Sequence, residues 1–384
     1  NENSLLEDET DAMSLYNEIA STNRGEPTIS SGEGDSLTNI GTIKNMKKKS
    51  NIVLVRTLEN EDLLLDTDGT GVEWQTEYNV DFLLRDVAKH ENAICKAAVY
   101  FLKKKEYPQS LTLYHHLLKY YRTKHGELHP LVGQTWHNIG TLHLRESRLP
   151  SALSSFQKAV RLRKGALGED HPDVAVSLVK VGVTLLFLNR YDTALLTFTN
   201  ALATRQNALG HLHPSIARVY NNIACVHVHN NDMRVARRAF ESALDVQRGV
   251  MIDDPTNREA KMEAAVTLVN LGLLYRFRKM WGRALVLFDE AQQLQESVVG
   301  VYHESVLSTL DVVADTTTRD GNGGEALRLY KILLSRLKKN ERYLRGSALI
   351  LYKMSRINAQ RKDWEAAMER LRLALKVLEE GRMG

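Results

Sequence analysis

Cysteine is nearly absent from this chain: Cys95 and Cys225 are the two among 384 residues. Two thiols cannot build a disulfide framework, so a reducing, cytoplasmic setting is expected. Long apolar runs are missing as well. None approaches the roughly 18–20 residues of a membrane-spanning helix, and no secretory apolar segment lies near the start. The sequence opens on Asn1 rather than Met, which points to residues missing upstream. Catalytic signatures are lacking too. There is no phosphate-cradling GxxxxGK[ST], no GxSxG elbow, no HExxH and no paired CxxC. Gly321-Asn322-Gly323-Gly324 falls between two helical patterns and reads as a turn. Cys225 has no base pattern beside it and reads as a packed small residue. Neither an enzyme nor a cofactor is expected from these residues.

What is present is self-similarity. His129-Pro130, His171-Pro172 and His213-Pro214 recur at a 42-residue step, each just after a Gly and just before an apolar-periodic run. In the first such run Trp136, Ile139, Gly140 and His143 share one helix face, and Ala152, Phe156 and Ala159 share a face on a second helix. The same register gives Leu178, Val181, Gly182, Leu185 with Ala194, Phe198, Ala201, then Tyr220, Ile223, Ala224, His227 with Ala236, Phe240, Ala243. After a six-residue insertion it gives Leu268, Leu271, Gly272, Tyr275 with Ala284, Phe288, Ala291. It continues through Leu310, Ala314, Ala326 and Tyr330 to Leu351, Ser355, Ala367 and Ala374, and runs back to Ile94, Ala98, Ser110 and Tyr114. The small residues predict close approach of two antiparallel helices, and the aromatic predicts the filler to the next unit. Leu167-Gly168, Leu209-Gly210 and Val299-Gly300 read as helix C-caps with Gly in the left-handed conformation. The Pro that follows each His suits a first helical turn. A unit of this length leaves an apolar face that only its neighbour can cover, which makes a solenoid.

Charge is unevenly spread. The net is +4, yet residues 1–43 carry −8, residues 44–90 carry −2, and residues 91–384 carry +14. A basic array behind an acidic leader suggests attraction between the two or an acidic partner. Residues 1–50 are polar and acidic with no sustained period, so a mostly disordered leader is expected over 1–77. Lys47-Lys48-Lys49 is a short basic cluster of the kind found in nuclear targeting segments and in solvated tails. Helix is predicted to resume near Tyr78, opening an array over 78–384 with units of about 91–128, 129–170, 171–212, 213–254, 261–302, 303–344 and 345–381.

These positions resemble the tetratricopeptide repeat, bulky–x2–Leu–Gly/Ala–x2–Tyr followed by Ala–x3–Phe–x2–Ala. The unit here is 42 residues rather than 34. The joint Leu-Gly-Glu-Asp-His-Pro-Asp-Val-Ala at 167–175 and Tyr-Asn-Asn-Ile-Ala at 220–224 are similar to the repeats of kinesin light chains. The resemblance implies an all-α, right-handed superhelical solenoid of about seven helical hairpins acting as a protein-interaction adaptor. Kinesin light chains also carry a heptad coiled coil before their repeats, and no sustained heptads occur in 1–90.

The resemblance further implies a concave groove lined by the first helix of each pair, with an Asn two residues after the bulky position holding an extended peptide. An Asn amide offers both donor and acceptor and can pair with any peptide backbone. That position is Asn138, Asn222 and Asn270, with Asn221 adjacent; it is Lys96, Lys180 and Lys353 in other units and Val312 in one. Lys180 between two Asn positions suggests an acidic peptide, while Asp311 and Asp315 break the trend. Arg145, His229, Arg276 and Arg319 lie farther along the same helices as further groove candidates.

Two readings compete for Asp66–Glu77. Asp66, Asp68, Thr70 and Glu77 have the spacing of a calcium-binding loop, but Thr70 replaces an Asp or Asn and no second loop accompanies it. A surface turn rich in Asp and Gly fits better. Glu73-Trp74, with acids around it, instead resembles the Trp-plus-acid peptides that kinesin-light-chain repeats accept, and would let the leader fold back into its own groove. The histidines invite a zinc site, yet residues 42 apart belong to separate units and zinc needs about four convergent ligands. His143 and His227 take the Tyr position of the repeat and are expected to pack between helices. Alternatives to a peptide-binding adaptor are a nucleic-acid-binding helical repeat and the regulatory arm of a larger enzyme.

Overall fold

The computed structural model describes residues 80–337 and 344–380. The described chain forms two compact units, one through Val250 and one from Met251 onward. Every regular element in them is an α-helix.

The first unit opens with α1 (Val80–Leu84), a short helix whose Leu83 is buried among Ile94, Ala97 and Leu113. Hairpins follow: α2 (Glu91–Lys103) with α3 (Tyr107–His125), α4 (Pro130–Arg145) with α5 (Leu149–Leu167), α6 (Pro172–Phe187) with α7 (Tyr191–Leu209), and α8 (Pro214–His229) with α9 (Met233–Asp253). The second unit holds α10 (Arg258–Phe277) with α11 (Trp281–Val299), α12 (Glu304–Arg319) with α13 (Gly323–Leu337), and α14 (Leu344–Gln360) with α15 (Trp364–Glu380). The helices pack as consecutive hairpins, as the repeat predicts.

Packing inside each hairpin rests on the small residues. Gly140, Gly182 and Gly272 each face an aromatic ring so closely that an added Cβ would sit 2.7 Å from Phe156, 2.6 Å from Phe198 and 2.5 Å from Phe288. All three Phe side chains are fully buried, as are Ala152, Ala194 and Ala284.

Two kinds of turn alternate along the chain. Inside the hairpins the chain reverses at Lys105, Ser147, Asn189, Asn231, Lys279, Gly321 and Lys362, all with φ between 57° and 92°. At Lys279 the amide of the turn residue donates to Arg276 O, and the next amide, Met280, donates to Tyr275 O; the other turns repeat this pair. This is the Schellman arrangement that satisfies the last carbonyls of a helix. Gly321 is such a turn residue, whereas Gly323 and Gly324 already belong to α13, so the glycine-rich stretch is only in part a turn.

Between hairpins the chain turns at Gly126, Gly168, Gly210 and Gly300, with φ of 80–93° and ψ of 164–171°. The predicted left-handed helical cap is therefore corrected. These residues are extended with positive φ, a region that is essentially closed to residues with a Cβ. Immediately afterwards, at 129, 171, 213 and 303, a His caps the next helix. Its Nδ1 accepts from the amide two residues on, at 3.1–3.3 Å. Asn257 caps α10 through Oδ1, which accepts from the Ala260 amide three residues on. The recurrent His-Pro pair is thus an N-cap followed by Pro at the first helical position.

Candidate functional site

The first helices of the first unit bring Asn138, Lys180 and Asn222 to one register on α4, α6 and α8. That row is recessed. Asn138 is 3% exposed, Lys180 4% and Asn222 3%, and the neighbouring Asn221 is buried as well. The Asn138 amide faces the Tyr114 hydroxyl on α3, whose burial drives its ionisation far above the usual phenol range. Neighbouring first helices are tied together directly: His137 Nδ1 on α4 and Ser177 Oγ on α6 are 3.2 Å apart. Arg145 lies half-buried at the end of α4. His229 closes α8 with its ring stacked on Tyr191, centroids 5.6 Å apart and planes 10° apart, and burial lowers its pKa. His143 and His227, predicted to pack, are 15% and 14% exposed and lie 3.8 Å from Glu146 and 3.6 Å from Asp232. Along α4, α6 and α8 the carboxylate count is one, Asp173 in the first turn of α6.

The equivalent face of the second unit is built differently. Asn270 is buried on α10, and its Oδ1 has no hydrogen-bond partner. Val312 offers no polar group. Lys353 on α14 donates to both oxygens of Asp311 at 2.8 Å and to Asp315 at 3.3 Å, with its ammonium 5.8 Å over the Tyr330 ring. Tyr330 in turn donates to Asp315 at 2.5 Å. Burial raises the Asp311 carboxyl, and Lys353 opposes that rise. Burial lowers the pKa of Arg276 and Arg319 adds to that fall, while Asp315 and Asp311 oppose it. The structure therefore brings Arg276, Asp311, Asp315 and Lys353 together, the two carboxylates holding Lys353 and facing Arg276, with Arg319 beside Arg276.

A further polar series occupies the ends of the second helices. Arg163 Nη1 on α5 donates to Asp173 O and Ser177 Oγ, both at 2.8 Å. Burial pushes its guanidinium down to about 10, with Asp173 opposing. Arg205 Nη1 on α7 donates to Ser215 O at 2.7 Å, and Gln295 on α11 accepts from Thr309 at 2.8 Å. Each clamps one hairpin to the first helix of the next. Arg163 and Arg205 are one repeat period apart, so the signal was available in the sequence; the period alone does not separate a clamp from a solvated cation.

Among the described residues no three His, Cys, Asp or Glu side chains gather as metal ligands would. Cys225 is buried and its thiol is pushed up to about 12 by desolvation, which suits a packed side chain. No described helix is long and apolar enough to cross a membrane. A hollow of about 350 Å³ lined by Gln157, Val160, Lys164, Leu178, Val181 and Thr197 contains none of the groove candidates. The calcium-loop candidates Asp66, Asp68, Thr70 and Glu77, the Glu73-Trp74 segment and the acidic leader lie outside the described residues.

Residues 87–165, 131–206 and 217–249 match the tetratricopeptide repeat. No curated protein matches the chain in sequence. Among solved structures, the chain resembles BtubC (BKLC) from P. vanneervenii at 14% identity and a TM-score of 0.52, covering 62% of this chain and 92% of that one. It resembles the signal-transduction ATPase with a tetratricopeptide repeat sensor from Pyrococcus horikoshii at 11% identity and a TM-score of 0.59, covering 79% of this chain and 45% of that one. A kinesin light chain with nearly identical repeats from Podospora anserina aligns at 17% identity and a TM-score of 0.47, over 56% of this chain and 99% of that one.

Proposed function

We propose that this tetratricopeptide repeat array, a scaffold of the kind that generally serves protein–protein interaction, binds an extended acidic peptide along the first helices of its first unit. The carrying observation is the contrast between the two units. On α4, α6 and α8 the row Asn138, Lys180, Asn222 is accompanied by the half-buried Arg145 and by the single carboxylate Asp173. In the second unit Lys353 is already held by Asp311 and Asp315. A guest carboxylate therefore meets an excess of basic side chains over carboxylates on the first set of helices, and the Asn amides can pair with the guest backbone whatever its side chains.

The recessed position of the row sets the expected mode. The guest presses its backbone against the tips of the amides instead of wrapping long side chains, so the residues nearest Asn138 and Asn222 should be small. The test is fluorescence polarisation with a labelled acidic, Trp-containing peptide. Lys180→Met keeps the buried volume, removes the charge and is expected to weaken binding by about tenfold; Asn222→Ala acts in the same direction. Unchanged affinity in both variants, with circular dichroism showing intact helix, overturns the assignment. Salt-sensitive binding of oligonucleotide in place of peptide would turn it towards nucleic acid.

A further inference from the structure

The second helices of the first two hairpins carry charge of one sign. No Asp or Glu occurs on α3 or α5, which together hold seven Lys and Arg side chains. Arg163 is the buried clamp; the other six form a surface strip. Lys119 and Arg161 are one period apart and both exposed, and the exposed Arg122 stands in the same relation to the half-buried Lys164. Arg122, Lys124 and Lys164 each reach one carboxylate from a neighbouring segment, Glu127 at 2.7 Å, Glu91 at 3.7 Å and Glu169 at 3.5 Å. Among the described residues no carboxylate pairs with Lys119, Lys158 or Arg161. Lys158 instead stands 4.1 Å over the Trp136 ring on α4. The sign reverses on α11 of the second unit, where Arg283 is set against Asp289, Glu290 and Glu296.

The strip borders an apolar seat. The hollow of about 350 Å³ between α5 and α7 has Leu178 and Val181 as its floor and Arg161 and Lys164 on its wall. A ligand that fits it brings an apolar group directly beside negative charge. A nucleic-acid backbone brings the charge alone. Residues 1–43 of this chain bring both: they carry −8, and Leu5-Leu6 runs straight into Glu7-Asp8-Glu9. The connection is long enough. The described chain starts at α1, whose Leu83 is buried with Leu113 of α3. Residues 44–79 would cover about 54 Å even at a helical rise of ~1.5 Å per residue, against roughly 28 Å for the whole of α3. Tethering holds such a segment at an effective concentration on the order of millimolar, so exposed charge pairs too weak to retain a free peptide suffice. We propose that residues 1–43 dock on the strip of α3 and α5, with Leu5-Leu6 in the hollow and the carboxylates after them against Arg161 and Lys164. The chain thereby shields its own basic face from other polyanions. None of the first-helix groove residues takes part.

Zero-length carbodiimide crosslinking of the full chain, which joins a carboxylate to a lysine amine in contact with it, tests this by peptide mapping. The expected links run within one chain from Glu7, Asp8, Glu9 or Asp11 to Lys119, Lys158 or Lys164. Their yield should not depend on protein concentration and should fall with added salt. Arg122→Glu with Arg161→Glu changes two exposed side chains that cannot crosslink themselves, and should lower the yield by about fivefold while helix content stays unchanged. Leu5→Ser with Leu6→Ser should lower it at unaltered charge, and Arg238→Glu, exposed on α9, should leave it alone. Four results overturn the proposal. They are links that fall on Lys96 or Lys180 of the first helices, links found only between two chains, a yield indifferent to the double reversal, and an oligonucleotide affinity that is the same with and without residues 1–43. The last would make the strip an open phosphate-binding surface.

Discussion

A methyl group placed on Gly182 would lie 2.6 Å from Cε1 of the fully buried Phe198. That distance is shorter than any relaxed carbon–carbon contact, so Gly182→Ala must push the ring or part α6 from α7. A loss of about 1–3 kcal/mol is expected, in the range of overpacked cores. Phe198→Leu in the same chain should recover part of the loss by vacating the ring's space. Gly282→Ala is the control, because nothing lies within 4 Å of its added methyl; helix propensity makes that change neutral or favourable. Urea unfolding of the three variants checks the order, and equal losses at Gly182 and Gly282 would contradict the crossing geometry.

The two turn classes predict opposite responses. Lys279 sits at φ 58° inside the α10–α11 hairpin. The left-handed conformation costs a residue with a Cβ roughly 1–2 kcal/mol, part of which Gly returns in unfolded-chain entropy, so Lys279→Gly should stabilise by about 0.5–1 kcal/mol. Gly168 sits at φ 93° and ψ 164° with open space around it. Gly168→Ala therefore meets no clash and should still lose about 1–3 kcal/mol through backbone strain alone. Thermal melts that move in the same direction for both substitutions would refute this account.

Much of this was legible from the period. Gly140, Gly182, Gly272 and their Phe partners announced tight crossings because size at a fixed helical spacing translates directly into interaxial distance. The capping histidines stand out as a recurrence, but their role depends on a side-chain rotamer that brings Nδ1 over the amide two residues on. The Lys353–Asp311 pair is one repeat apart, and by sequence alone Lys353 reads as a groove cation and Asp311 as an exception to the trend. Only the lateral spacing of α12 and α14 shows that they answer each other. Burial of Asn138 and Lys180 was likewise hidden, since a helical wheel gives direction and not the depth of the trough.

Arg163 clamps two successive hairpins, with one nitrogen serving both Asp173 O and Ser177 Oγ. Arg163→Lys keeps the charge but replaces Nη1, whose two N–H groups meet both acceptors, with an ammonium on a shorter stem. A loss of about 1–3 kcal/mol is expected, the cost of leaving a buried acceptor unmet. Hydrogen exchange should show it as faster opening of α6. Wild-type protection in the lysine variant would mean that charge, not the placement of Nη1, holds the joint.

Burial against Tyr191 lowers the pKa of His229. The folded form then binds fewer protons than the unfolded chain in the window below the ordinary His value, so stability rises with pH through that window and is lost as pH falls through it. His115 and His143 are lowered by burial as well and add the same sign. His229→Phe keeps a ring for Tyr191 and removes the titration. Its stability-against-pH curve should be flatter than that of the wild type below neutrality while the other histidines leave a residual slope. An unchanged slope would show that His229 ionises freely in the folded chain.

The paired charges of the second unit supply a gain-of-binding test. Asp311 and Asp315 hold Lys353 and support Arg276. Replacing both with Asn keeps size and hydrogen-bonding capacity and removes two negative charges, so Lys353 and Arg276 become available to a carboxylate. If basic character on the first-helix face selects acidic peptides, Asp311→Asn with Asp315→Asn should raise the affinity for an acidic peptide several-fold, and the gain should shrink with added salt because exposed charges are screened. The amide oxygen introduced at position 315 still accepts from the Tyr330 hydroxyl, so the hairpin should stay folded. An affinity that does not move, in a variant whose melt is unchanged, would mean that guests are chosen by shape or backbone pairing and that charge on these helices serves only to hold the hairpins together.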